Sequence, residues 1–263
     1  MALVHFTAPV LDELRMMKCG LTSVTFRKLD WRKILQIALD CGLDGIEWGG
    51  DVHVPPGDPD HARKVCQATL DAGLTVLSYG SYYRLGGNEP FGPVLDTARA
   101  LHANTIRIWA GTKASSQYTA QERRQAVAEV QSIADMAKPC GVTIAFEYHR
   151  NTLTDTSESA LALLAAAGRD NVRTYWQPNP DLTHEQRLEG LAAVLPWLEN
   201  VHVHVSEQPC SGVRLPLEDV LPQWRAYMDV IQDRARAALI EFVKDDDPAQ
   251  CARDAAHLRM LCE

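Results

Sequence analysis

"GVTIAFEYH", residues 141–149, decides how this chain is read. A glycine opens the run, β-branched and apolar residues carry it, and it ends on a glutamate and a histidine. Alternate residues of a strand point to one side, so Thr143, Ala145, Glu147 and His149 share a face. The same design recurs at fairly even intervals: "CGLTSVTF" (19–26), "DGIEW" (44–48), "LTVLSYG" (74–80), "NTIRIWA" (104–110), "NVRTYW" (171–176), "NVHVHVSE" (200–207) and "AALIEFV" (237–243). Several of these runs begin at or just after Gly or Asn, the residues that punctuate strands.

Helical spacing fills the gaps. "WRKILQIALDCG" (31–42) sets Trp31, Ile34, Leu35 and Ala38 on one face and stops at Gly42. "HARKVCQATLDAG" (61–73) stops at Gly73. "AQERRQAVAEVQSIADMAKPCG" (120–141) is the longest, and "LPQWRAYMDVIQ" (221–232) carries Trp224, Tyr227, Met228 and Ile231. Eight strand-like runs, each followed by a helical one, predict an α/β fold: a single (β/α)8 TIM barrel over 17–263, its last helix at 247–261. The alternative, an open doubly wound sheet, carries a Gly-rich phosphate turn after its first strand. Here "RKLDW" (27–31) follows instead. Residues 1–16 are expected to form an N-terminal extension outside the barrel.

Composition narrows the partners. The 263 residues carry 26 basic and 34 acidic side chains, a formal net charge of −8, and are 46% hydrophobic. Nucleic-acid affinity comes mostly from clustered Lys and Arg, so no nucleic-acid partner is expected. No segment approaches the roughly 20 apolar residues of a membrane span, and the first residues lack the marks of a signal peptide. Seven cysteines, irregularly spaced and without a CxxC pair, read as reduced, mostly buried thiols of a cytoplasmic protein.

A barrel of this kind builds its chemistry at the C-terminal ends of its strands. Those positions hold Glu47 and Trp48, Tyr79 and Tyr83, Trp109, Glu147 and His149, Gln177, His202, His204 and Glu207, and Glu241. By parity, Glu147, Gln177, His204 and Glu241 face the axis from four consecutive strands. At about 4.8 Å between strands they can converge on one point. Two carboxylates, an amide and an imidazole suit a divalent cation: Mn²⁺ first, with Mg²⁺, Co²⁺ and Fe²⁺ as alternatives. His202 reads as a satisfied core histidine.

The chain resembles the xylose-isomerase-like TIM-barrel superfamily, in its sugar phosphate isomerase/epimerase branch. The motifs that carry the resemblance are "GIEWGGDVHVPPGD", "SYGSYYRLG", "IAFEYHRNTLTDT", "YWQPN", "VHVHVSE" and "LIEFVKDD". It covers nearly the whole chain from Met17 onward. In the ketose 3-epimerases of that superfamily, Glu, Asp, His and Glu at strand ends bind the metal, and the two glutamates move the proton. The resemblance therefore implies Glu147 and Glu241 as catalytic acid and base, and Glu147, Gln177, His204 and Glu241 as metal ligands. Gln177 stands where those epimerases carry Asp; it still offers a carbonyl oxygen, but with one negative charge fewer the metal should bind less tightly.

The implied reaction is isomerisation or epimerisation of a ketose, keto-polyol or related sugar derivative through an enediolate. The rivals are a metal-dependent lyase or dehydratase on a keto-polyol, an apurinic endonuclease, which the acidic balance disfavours, and a catalytically weakened sugar-binding barrel. His149, Glu207, Arg214, His53, Tyr79 and Trp109 are the expected contacts to a small-molecule sugar substrate. Asp245, Asp246 and Asp247 after the last strand point to an unphosphorylated one. A homodimer is a further expectation, since barrels of this kind often pair.

Overall fold

A computed structural model describes residues 17–205 and 213–263. The expected N-terminal extension and Glu207 lie outside the described residues. The order is β1 (Lys18–Thr22), α1 (Trp31–Asp40), β2 (Gly45–Gly49), α2 (Pro59–Asp71), β3 (Thr75–Arg84), α3 (Phe91–Ala100), β4 (Thr105–Trp109), α4 (Ala120–Ala137), β5 (Thr143–Phe146), α5 (Ser157–Ala167), β6 (Val172–Trp176), α6 (His184–Val194), β7 (Leu198–Val203), α7 (Leu221–Ile231), β8 (Ala237–Ile240) and α8 (Pro248–Cys262). The strands are parallel and pair in sequence order, and β8 closes on β1 through Lys18 with Ala237 and Leu21 with Ile240. The (β/α)8 barrel is the fold of this chain.

The helices start where their caps dictate. Asp30 and Asp58 accept backbone N–H groups at the starts of α1 and α2, and Thr119 and Thr183 do so as capping boxes with Glu122 and Gln186. Left-handed glycines at 141 and 168 help to end α4's short 3-10 extension and α5. No helix among the described residues is long and apolar enough to cross a membrane.

Several strands depart from the runs predicted for them at the end that builds the site: β5 ends at Phe146 and β7 at Val203, short of the predicted runs, and three others show a cause or an irregularity. The first was expected to reach 26 but stops at Thr22, and Ser23–Phe26 form a 3-10 turn. Hydroxyls hold that turn: Ser23 accepts from Gly49 N, while Thr22 and Thr25 both donate to the Ile240 carbonyl. The eighth stops at Ile240 because Phe242 takes a positive φ of 63°. The third runs on to Arg84 through an irregularity in its pairing with β4 between Gly80 and Arg84.

Two apolar regions support the frame. The large one lies between strands and helices and includes Trp48, Phe146, Trp176 and Trp224. The small one lines the barrel interior with Ala145, Tyr175, Ala237 and Leu239, against which Leu77 packs. Trp176 meets Trp224 and Tyr227 edge-on, with ring centroids 6.4 and 5.0 Å away. Truncating Trp176 to Ala removes the anchor between β6 and α7. It should cost about 3–5 kcal/mol in urea unfolding, with the barrel's far-ultraviolet circular dichroism retained before the transition.

Candidate metal and proton-transfer site

The strand ends bring five polar side chains into a nearly water-free centre. Glu147 follows β5, Gln177 follows β6, His202 sits in β7, and Glu241 follows β8; Glu47 reaches in from β2. All five are buried, His202 completely. One ligand atom each of Glu147, His202 and Glu241 lie within 4.8 Å of one another.

Arg107 of β4 organises this centre. Its Nε donates to Glu47 Oε1 at 2.9 Å, and its Nη1 ion-pairs with Glu147 Oε2. Glu47 also accepts from Ser78 Oγ at 2.7 Å and from the Tyr175 hydroxyl at 2.9 Å. Asn200 Nδ2 donates in turn to that hydroxyl. Burial works to raise the Glu47 carboxyl, but the Arg107 charge and the His202 contact win and hold it well below the usual carboxylate range. Burial likewise acts against the Arg107 charge, and Glu147 and Glu47 override it. Gly80 makes room for the guanidinium: a Cβ there would collide with Arg107 Nη2.

Glu241 is held differently. Its near neighbours are His202 Nδ1 at 3.5 Å and His204 Nδ1 at 3.9 Å. Burial, with the nearby charges of Glu147 and Glu47, moves its carboxyl above the ordinary value, against the opposing pull of His202 and Arg107. His202 is pushed down by burial but moved up overall by Glu241 and Glu47. His204 is lowered to about 4 by burial first, and then by the neighbouring His202, His149, Arg187 and Arg214. The His204 imidazole is therefore neutral at pH 7, with a lone pair to offer.

These residues fit a divalent cation. Among the described residues the buried His204 Nδ1 has no hydrogen-bond partner, and His202 Nε2 has only a long 3.5 Å approach to Glu47 Oε1; buried polar atoms rarely go unpaired without a reason. Gln177 Nε2 donates to the Tyr148 carbonyl at 2.7 Å, which turns its carbonyl oxygen inward, 3.2 Å from His202 Nδ1. The amide thus presents the oxygen that a hard cation takes.

Of the residues expected to touch substrate, His149 and Trp109 stand at the mouth, ring on ring at 4.3 Å. Arg214 pairs with Asp246, lies 4.1 Å from the centre of the Phe242 ring, and lines a cavity of about 450 Å³ with Arg27 and Lys28. His53 and Tyr79 are not brought to the centre. Both ring nitrogens of His53 are taken, by Ser23 Oγ and the Leu29 carbonyl. Tyr79 is buried and donates to the Val54 carbonyl, and Tyr83 donates to Glu129 of α4. Tyr82, between them, was missed. It has a positive φ of 60°, its hydroxyl accepts from Arg27, and its ring lies near those of Trp109 and the Arg107 guanidinium. The reading of His202 as a core histidine captured its burial but not its contacts with Gln177, Glu47 and Glu241.

The depressed Glu47 carboxyl contributes stability above the usual carboxylate pKa, and that contribution is lost as pH falls through the folded value. Glu47→Gln should cost about 3–5 kcal/mol near pH 7, because it leaves a buried guanidinium half-paired. The gap to wild type should narrow as urea unfolding is repeated at pH below about 4.5.

Comparison with known proteins agrees with this architecture. A family model described as "Xylose isomerase-like TIM barrel" matches residues 35–260. A 3-dehydroshikimate dehydratase of Bacillus anthracis is 25% identical over 203 residues, 71% of each chain. The crystal structure of the probable 3-DHS dehydratase of petrobactin synthesis from Bacillus anthracis superposes with a TM-score of 0.78 at 20% identity, covering 92% of this chain and 99% of that one. A D-psicose 3-epimerase structure with D-fructose gives 0.65 at 19%, over 93% and 98% of the two chains. The IOLI protein with a bound zinc atom gives 0.74 at 16%, over 94% and 98%. The strand-end carboxylates and histidines thus sit on a scaffold shared with named enzymes, and the chain belongs to the xylose isomerase-like TIM-barrel family.

Proposed function

We propose that this protein is a metal-assisted lyase that removes water from a small cyclic or polyhydroxylated ketone, by taking a proton from the carbon next to the carbonyl. The observation that carries the reading is the inequality of the two carboxylates. Arg107 grips Glu147, whereas Glu241 has no such partner among the described residues and sits near two imidazoles. Epimerisation asks for an acid and a base on opposite faces of one carbon. Elimination of a β-hydroxyl asks for one base, which can hand its proton to the leaving oxygen. The similarity to a 3-dehydroshikimate dehydratase supports the same class and makes a cyclic β-hydroxy ketone the first substrate to try.

In this reading Glu241 takes the proton. The electron pair of the broken C–H bond forms the new C=C bond as the β-hydroxyl departs, and Glu241 returns its proton to make water. Glu147, Gln177, His204 and Glu241 hold a divalent cation, with His202 beside them. When bound, the ion supplies positive charge to the carbonyl oxygen as negative charge develops there. Manganese, magnesium and zinc all suit two carboxylates, an amide oxygen and an imidazole. Arg107 fixes Glu147, and Glu47 in turn fixes Arg107. Trp109 and His149, packed against each other, are the expected contacts to the substrate.

Epimerisation of a ketose is the second reading. Glu147 and Glu241 both line the centre, and release of Glu147 from Arg107 would provide a second proton-transfer group.

Metal-loaded protein incubated with 3-dehydroshikimate, and separately with a ketose panel in D₂O, distinguishes the two. The lyase reading expects a product lighter by one water. Recovery of deuterated epimer from a ketose, with no water lost from any substrate, overturns it in favour of epimerisation. Glu241→Gln should lower kcat about 10²–10⁴-fold while leaving the thermal midpoint near that of wild type. Gln177→Asp restores a third carboxylate. By calorimetry with Mn²⁺ alone it should bind the ion at least about tenfold more tightly, one extra ionic contact being worth roughly 1.5–3 kcal/mol.

A further inference from the structure

The end of the barrel opposite the candidate site holds a second cavity, of about 280 Å³. It opens where β1, β3, β4 and β8 begin, and Lys18, His102, Asn104 and Arg236 stand around it, all exposed. Buried Asn200 lines it from within, its side-chain amide bonded to the Tyr175 hydroxyl. The volume lies at the low end of the roughly 300–1,000 Å³ typical of small-molecule sites.

Charge around this cavity is unbalanced. Arg236 and Arg173 share one carboxylate, that of Glu199, at 3.1 and 3.7 Å. Lys18 has no ion-pair partner among the described residues, and neither the His102 ring nor the Asn104 amide has a hydrogen-bond partner among them. The backbone supplies an independent sign. The turns after α1 and α2 pass through left-handed glycines at 42 and 73. The turn after α3 repeats their pattern of backbone hydrogen bonds but puts His102 at the same place, with a φ of 55°. A side chain there carries strain that glycine does not, and strained residues gather at functional sites. Here the strained position sets an imidazole at the cavity, among the other cationic groups.

We propose that this cavity binds the phosphoryl group of a small ligand, free phosphate or a phosphate monoester, at a site separate from the reaction centre. A phosphate accepts charge-assisted hydrogen bonds on several sides at once, which suits an ammonium, a guanidinium and an imidazole delivered by separate elements. Among the described residues no carboxylate lines the cavity, and Glu199 is already held by Arg236, Arg173 and Thr105. The larger cavity beside Arg214 is the contrast, because Asp245 and Asp246 line it. A ligand at the barrel's foot would stand one hydrogen-bonded chain, Asn200 to Tyr175 to Glu47, from the charged centre.

The test titrates the whole protein by calorimetry with inorganic phosphate alone, and separately with glycerol phosphate, at low ionic strength, where exposed charges are least screened. Saturable binding of one anion per chain is expected. Lys18→Met and His102→Gly should each weaken it about tenfold, the loss that goes with one charge-assisted hydrogen bond. His102→Gly should keep its thermal midpoint at or above that of wild type, because glycine takes the left-handed turn without strain, so lost binding cannot be ascribed to a lost fold. Tighter binding of the ester identifies a phosphate monoester as the ligand, and equal affinity identifies the free anion. An absence of saturable binding, or binding that either variant leaves unchanged, overturns the proposal.

Discussion

A guanidinium buried between two carboxylates is the constraint on which the rest of this structure depends. Arg107 lies within the barrel with about 1% of its side chain exposed, and so does Glu47. A charge so far from water survives only if it is paired and its remaining donors and acceptors are satisfied. The neighbouring side chains are those that meet this demand. Ser78 and Tyr175 complete Glu47, Asn200 completes Tyr175, and Gly80 leaves space for the guanidinium. The small apolar residues of the barrel interior, Ala145 and Ala237, keep the remaining volume filled without competing for those partners.

This network also divides the site into two electrostatic halves. On the Arg107 side, Glu147 is fixed by a cation. On the far side, Glu241 meets imidazoles and feels the field of the other carboxylates, opposed in part by His202 and Arg107. Two chemically identical groups thereby acquire different partners: a guanidinium for Glu147, imidazoles for Glu241.

Much of this was legible in the sequence, for identifiable reasons. Strand and helix periods alternate cleanly, so the barrel could be read from spacing alone. Glu147, Gln177 and Glu241 could be placed because each terminates an apolar run. The contacts of His202 could not be read, because two histidines of one strand share a parity and spacing does not say which lies deeper. Tyr82 escaped because β3 does not keep a regular register past Gly80, so strand alternation gives no guide to where its ring lies. Arg107 had left a sign in "NTIRIWA": a charged residue inside an otherwise apolar strand needs a buried counter-ion, and Glu47 lies in the strand two positions away in the barrel.

The partners of the central charges are remote along the chain. Arg107 stands 60 residues from Glu47, and Tyr175 stands 128 from it. The first four strands already hold Glu47, Ser78 and Arg107, whereas Glu147 after β5 and Tyr175 on β6 complete the set only as the second half of the barrel is added. The charged centre is therefore fully satisfied only once the later strands have joined and buried it. Mispaired strand orders lack the counter-ions that make the interior tolerable, and only the closed order of eight strands supplies all of them at once.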